Sequence, residues 1–439
     1  MTFNTKQIQE NFEKKRKDNY QSNKIILKPI IKEKNDNTIK IPNNPLLKQN
    51  KLKQKLRHSS KSGIQIPFYL KTKFKRDKIF CINKGRKNPS DKNLSVNIDI
   101  ELLEEEEDKK IKIYENKIDI IYKSENCISA TQKGFLIKEN IEKENNQDCS
   151  LIIENVCGIN NYNIYSRMDG HGSNGHLVSN FIKDKINQYF NDITFYFRKI
   201  KPKDKLLLKY PDNILDLILK KLEKNNYQKI KDFYRIVDES LSSKEVVFDS
   251  NFSGSTCIIL FQIGNKIISS NVGDSRALLI KENKEIIELS NNQKPDEENE
   301  KKRIEIMGGI VSQCNDLYDD GKKGGPFRIW MKGCDYPGLA MSRSIGDKIA
   351  HSIGVINEPE IIIFNLDEKS KFIILGSDGV WQYLNNKEIS DIIFEEKEYI
   401  GDNLCKKIIK KAKDKFIEND NCVVDDISIT LVFINQTIQ

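Results

Sequence analysis

Histidine is scarce in this chain. There are four in 439 residues, and two of them fall within the ten-residue stretch RMDGHGSNGH, Arg167 to His176. The nine cysteines are odd in number and scattered, with no CxxC pair anywhere. That argues against a disulfide framework and against a zinc ribbon, and it points to reduced thiols in an intracellular protein. No apolar run approaches the ~20 residues a membrane helix requires. The opening residues MTFNTKQIQENFEKKRKD contain no apolar core of a secretory signal, and Thr2 stands where N-myristoylation needs glycine. These absences leave a soluble protein, or one tethered only from its surface.

What is present is charge, and it is unevenly placed. Apolar residues make up 38% of the chain and charged residues 31%, a mixture expected of a globular part diluted by a solvated part. Residues 1–90 hold 24 Lys and Arg against 6 Asp and Glu, a net +18; the rest holds 49 against 58, a net −9. The +9 of the whole chain therefore belongs to its N-terminal arm. We expect residues 1–125 to be a basic, Lys/Asn-rich, largely disordered extension. A docking role is the alternative, because IPFYLKTKFKRDKIF interleaves aromatics with bases and would suit an acidic partner, nucleic acid or an anionic membrane. The acidic cluster ELLEEEEDKK could fold back on this arm or stay solvated.

From about Cys127 short β-rich runs appear: SLIIENV, TCIILFQI, KIISSNV, RALLIK, IIIF, KFIILGSD and ISITLVFI. Ile263-Gly264-Asn265-Lys266 joins two of them as a hairpin would, and RALLIKENKEIIEL reads as another. Helical stripes lie between and after them: Val178, Ile182 and Ile186; Ile230, Phe233, Val237 and Leu241; Leu404, Ile408, Ala412 and Phe416. Asn385 and Glu388 have the spacing of a capping box. Sequential strands with tight turns favour antiparallel sheets, and the helices would cover them. The expected fold is α+β, a four-layer α/β/β/α sandwich over residues 126–439.

Acids recur at the ends of these strands. Asp148 precedes CSLIIENV, Asp169 ends YNIYSRM, Asp378 follows FIILGS, and Asp425 and Asp426 precede ISITLVFI. Taken singly, each reads as a turn residue bonding its own backbone. Gathered at one edge, four carboxylates would repel one another unless cations neutralised them. Oxygen-only ligands suit Mg²⁺ or Mn²⁺, and a pair of such ions can activate a water and clamp a phosphate. A zinc site is disfavoured: His171 and His176 are five apart, with no cysteine or third histidine near them.

The blocks NNQD, DGHG, SGST, NVGDSRALL, KKRIEIMGG, PGLAMSRSIGD, GVINEPEI, SDGVW and DDIS follow in this order. Together they resemble the metal-dependent serine/threonine protein phosphatases of type 2C, over more than 300 residues. The resemblance implies hydrolysis of phosphoserine and phosphothreonine by a water activated between two Mg²⁺ or Mn²⁺ ions. It implies Asp169 bridging the metals, the Gly170 carbonyl on one of them, Asp378 and Asp425 on the other, and Asp148 holding a water beside the pair. His171 takes the place of the proton donor, and the flanking glycines would let the backbone approach closely. His176, at a helix start, packs or caps. Asp274, Arg276 and Arg343 read as structural partners. Ser255 and Thr256 of SGST would open a buried strand and satisfy backbone groups, and Gly308 to Leu339 would form a flap beside the site.

Four departures stand out. Gln147 replaces a frequent Glu and would bind the second metal more weakly. Where many members carry a phosphate-gripping Arg, Lys143 and Lys138 are the candidates, each a point charge without a bidentate fork. Asn292 and Gln382 replace acids of a third, weaker metal site, so that site is expected to be weak or absent. The losses leave open a pseudophosphatase that binds phosphoproteins without turnover; the intact Asp169, His171, Asp378 and Asp425 oppose it. An anchoring protein acting through the basic arm is the other alternative. The resemblance suggests a monomer acting on phosphorylated proteins, and cytoplasm and nucleus are equally open.

Overall fold

The computed structural model describes residues 117–137, 141–192, 196, 212–313, 325–395, 401–419 and 423–434. The chain divides into two units, Met1–Glu104 and Glu105–Gln439, and every described residue belongs to the second. The basic arm, the acidic cluster after it and Lys138 lie outside the described residues.

Two antiparallel sheets form the centre. The first runs in the order Asp119–Lys123, Cys127–Gln132, Ile427–Phe433, Ser370–Gly376, Arg276–Lys281, Ile286–Glu288. The second runs Ile345–Gly346, Gly254–Ser255, Tyr162–His171, Cys257–Ile263, Lys266–Val272, Glu360–Asn365, with Asp148–Ile153 also paired to Tyr162–His171. Both hairpins expected from the turns are present, one across Gly264-Asn265 and one between Arg276–Lys281 and Ile286–Glu288. The first sheet begins ahead of residue 126, because Asp119–Lys123 pairs with Cys127–Gln132 at its edge.

Side-chain alternation explains why sheet packs on sheet. On Ser370–Gly376, Ile373 and Leu375 meet Tyr165, Ile258 and Leu260 of the second sheet in one buried cluster. Phe372 and Ile374, on the other face, pack with the helices Asn386–Glu395 and Gly401–Glu418. On Cys257–Ile263 the pattern repeats: Ile259 and Phe261 pack against the helices Gly175–Phe190 and Ile214–Ser240. The layers are therefore α/β/β/α. Each predicted helical stripe lies on a buried face. The capping box is closed in both directions, Glu388 N–H donating to Asn385 Oδ1 and Asn385 N–H to Glu388 Oε2, both at 2.9 Å; such a cap contributes about 1 kcal/mol.

A smaller module stands beside the sandwich. Gly309–Gln313, Phe327–Met331 and Pro337–Leu339 make a three-stranded antiparallel sheet, within the expected flap. Ile304 on the helix Glu298–Ile306 packs with its Ile329 and Leu339, and with Met341 and Ile353. Glu300, on the same helix, ties the module down. It accepts hydrogen bonds from Ser342 Oγ at 2.6 Å, Arg303 Nη2 at 2.7 Å and Arg343 Nη2 at 2.6 Å. Arg343 also donates to the Glu358 carbonyl at 2.9 Å, so its role is structural, as expected. Burial alone would raise the Glu300 pKa, but these bonds hold it down at about 2.

Glu300→Ala leaves two guanidinium groups without their shared acceptor and is expected to cost about 3 kcal/mol in urea unfolding. Because the folded pKa lies below the ordinary 4.5, the carboxylate's contribution is complete above that value. It is lost as pH falls towards 2. The stability difference between wild type and variant should therefore narrow in acid.

Candidate active site

Strand polarity brings the acids together. Asp148 begins one strand and Asp169 lies near the end of its antiparallel neighbour, and the register pairs them directly. In the first sheet Ser370–Gly376 ends where Ile427–Phe433 begins, Gly376 opposite Ile429, so Asp378 and Asp425 project from the same end. Contacts between the sheets lock the corner. Ser377 Oγ donates to Asp148 Oδ2 at 2.7 Å, and the Asp378 N–H donates to Asp169 Oδ2 at 3.3 Å. Thr256 Oγ1 accepts from the Asp169 N–H at 3.0 Å, and Ser255 Oγ donates to the Asp169 carbonyl at 3.1 Å; SGST is the scaffold block it was expected to be.

Asp148, Asp169 and Asp378 resist ionisation together. Burial, then the neighbouring Asp148, Asp378, Asp425 and Asp274, push Asp169 well above the ordinary range. Burial followed by Asp425 and Asp274 raises Asp378 to about 7, and burial followed by Asp426 raises Asp148 to about 7. Asp148 Oδ1 and Asp274 Oδ1 are buried without a hydrogen-bond partner. An oxygen-only donor set with spare lone pairs and unbalanced negative charge fits a hard divalent ion. Among the described residues no three acidic, histidine or cysteine side chains close into a finished ion cage. Two ammonium groups stand at the corner instead, Lys143 against Asp425 and Lys294 against Asp274.

The DGHG turn behaves as its glycines require. A Cβ on Gly170 would collide with the Gly175 carbonyl, and Gly172 has a φ of 79°. His171 Nε2 donates to Asp347 Oδ2 at 2.6 Å, while Nδ1 is buried with no partner. Burial would lower the His171 pKa, but Asp347 outweighs it and raises the value. His176 sits in the first turn of Gly175–Phe190, where its carbonyl accepts from Asn180 Nδ2 at 2.7 Å, away from any histidine pair.

Three residues have parts at the site that the sequence reading did not give them. Asp347, which holds His171, looked like an ordinary acid in a turn; it follows Gly346 in a left-handed backbone, φ 46°. Asp274 follows the strand Lys266–Val272 by the same rule that found the other acids, and it acts electrostatically on Asp169 and Asp378. Asp426 is an anchor: it accepts the Gly134 N–H at 2.7 Å and the Gln147 N–H at 3.0 Å. Of the departures, Gln147 Nε2 donates to the Gly172 carbonyl at 2.7 Å. Asn292 Oδ1 accepts from Arg276 Nε at 3.3 Å, and Gln382 Nε2 donates to the Tyr383 hydroxyl at 3.2 Å. Arg276 also lies over the Trp381 ring.

An α/β/β/α sandwich with carboxylates gathered at one end defines the class of protein, and comparison with known proteins agrees. The family model for protein phosphatase 2C matches residues 165–420. Probable protein phosphatase 2C 35 of Arabidopsis thaliana is 29% identical over 321 residues, 70% of this chain and 83% of that one. Probable protein phosphatase 2C 75 of Oryza sativa subsp. japonica is 30% identical over 271 residues, 57% of this chain and 61% of that one. In fold, serine-threonine phosphatase 2C from Toxoplasma gondii superposes with a TM-score of 0.57 at 19% identity, over 72% of this chain and 98% of that one. The chain belongs to the protein phosphatase 2C family, and its activity is that of a serine/threonine protein phosphatase.

Repulsion within the corner has a measurable consequence. Asp378→Asn removes one charge without changing shape and is expected to stabilise the chelator-treated protein by about 1 kcal/mol in urea unfolding, although it weakens the site.

Proposed function

We propose that this chain hydrolyses phosphoserine and phosphothreonine in proteins at the corner formed by Asp148, Asp169, Asp378 and Asp425. The observation that carries this reading is the convergence of strand ends from both sheets on those carboxylates. Asp169, the Gly170 carbonyl, Asp378 and Asp425 would hold two Mg²⁺ or Mn²⁺ ions, and Asp148 would hold a water by hydrogen bonding. When bound, such ions supply Lewis acidity that makes a water nucleophilic near neutral pH, and they offset phosphate charge. Four carboxylates and two divalent ions balance in charge.

The chain's own groups do the rest. As an imidazolium donating through Nε2 to Asp347, His171 would give its Nδ1 proton to the departing serine or threonine oxygen, which needs protonation, and be left neutral. Lys143, a quarter exposed beside Asp425, can turn to the phosphate as a point charge. A third ion would meet the amides of Asn292 and Gln382, and Lys294 already offsets Asp274; we propose that this third site is weak. Binding without turnover is not favoured, since Asp169, His171, Asp378 and Asp425 are all present. The expected boundary at 126 moves ahead of the strand Asp119–Lys123, which pairs into the first sheet; the residues before it we propose as a basic extension to the phosphatase domain, supported by their excess of Lys and Arg. Among the described residues no helix is long and apolar enough to cross a membrane.

Phosphate release from a phosphothreonine peptide is expected with Mn²⁺ and is abolished by chelator. An Asp378→Ala form as fast as wild type would sink the site assignment. His171→Asn should lower kcat by roughly 10²–10⁴-fold on that peptide. The loss should be far smaller on p-nitrophenyl phosphate, whose leaving group needs no proton.

A further inference from the structure

One buried charge at this corner is not used by the mechanism. Arg167 is fully buried, among the largest side chains of which that is true in the described residues. Its Nη2 donates to Ser129 Oγ at 3.1 Å and to Thr430 Oγ1 at 2.7 Å, across the gap between the sheets. Its Nε and Nη1 have no hydrogen-bond partner. A guanidinium out of water without a paired carboxylate is costly, and two bonds to hydroxyls do not require a charge.

The register shows what the charge faces. Arg167 pairs with Ser150 and Asp169 with Asp148, so Arg167 and Asp148 are diagonal neighbours on the same face of the sheet, about 7 Å apart. Asp169 is two residues further on the same strand and face, also about 7 Å away. Asp148 is the carboxylate that acts most strongly on the guanidinium, and Asp169 acts on it too. Lys143 and Lys294, the other cations here, keep 25% and 33% of their side chains exposed and can swing aside. Arg167 is enclosed on every side and cannot.

We infer that Arg167 is a fixed internal countercharge that tunes how tightly the carboxylate corner binds divalent ions, weakening that affinity while holding the acids together before ions arrive. The inference rests on the metal reading of the site given above. A unit positive charge held within roughly 10 Å of a divalent ion at intermediate dielectric lowers its affinity on the order of tenfold. Arg167 acts through Asp148 and Asp169 and touches no reacting atom, so it is a positioning residue.

The test is calorimetric titration of Mn²⁺ into chelator-stripped full-length protein, with thermal melting as a second readout, for wild type, Arg167→Met, Arg167→Gln and Arg167→Lys. The two neutral forms should bind Mn²⁺ about tenfold more tightly and show larger Mn²⁺-induced rises in Tm. Arg167→Lys, which keeps the charge, should resemble wild type. Wild-type affinity in the neutral forms, or equal tightening in Arg167→Lys, would overturn the inference. Failure of both neutral forms to fold would assign Arg167 to the fold instead. Absence of saturable Mn²⁺ binding in wild type would overturn the metal reading itself, and the inference with it.

Discussion

Mutual repulsion among Asp148, Asp169, Asp378 and Asp425 is the constraint around which this architecture is arranged. No single strand or loop could hold four carboxylates so close; two sheets, each contributing a pair of strand ends, can. The corner is fastened by backbone groups and hydroxyls. Ser377 grips Asp148, Thr256 and Ser255 grip the backbone of Asp169, and Asp426 collects the N–H groups of Gly134 and Gln147. The inter-sheet face is apolar in its centre but turns to hydroxyls near the corner, where Ser129, Ser150 and Thr430 meet. That gradient lets a hydrophobic sandwich end in a polar site without leaving its last strand pairs unsatisfied.

Much of this was legible in the residues themselves. The seven β-runs, the two hairpins, the helical stripes and the capping box are local patterns, each with a physical reason confined to a few neighbours, and each is found where expected. The acids were legible because one rule, an acid at a strand end, repeats. Applied once more it would have reached Asp274. Asp347 was not legible: its partner is 176 residues away in sequence, and only the pairing of Gly254 with both His171 and Gly346 brings them side by side. Arg167 was hidden for a similar reason. Within YNIYSRMDG it alternates as a strand residue should, and nothing local shows that its face is the enclosed one.

Gln147 shows how a departure from a family pattern can be structural in this chain. Its backbone carbonyl receives the Gly170 N–H and the Ser179 hydroxyl, and its side-chain amide donates to the Gly172 carbonyl. A carboxylate could accept at this position but could not donate to that carbonyl. The amide thus helps set the turn that carries His171, whatever it costs in ligand strength.

The flap's apolar cluster, Ile304, Ile329, Leu339, Met341, Ala350, Ile353 and Val355, shares no residue with the three clusters of the sandwich. Its attachment runs instead through Glu300 and its arginines. Substitutions that repack this small core therefore act on apolar contacts separate from those that hold the two sheets together.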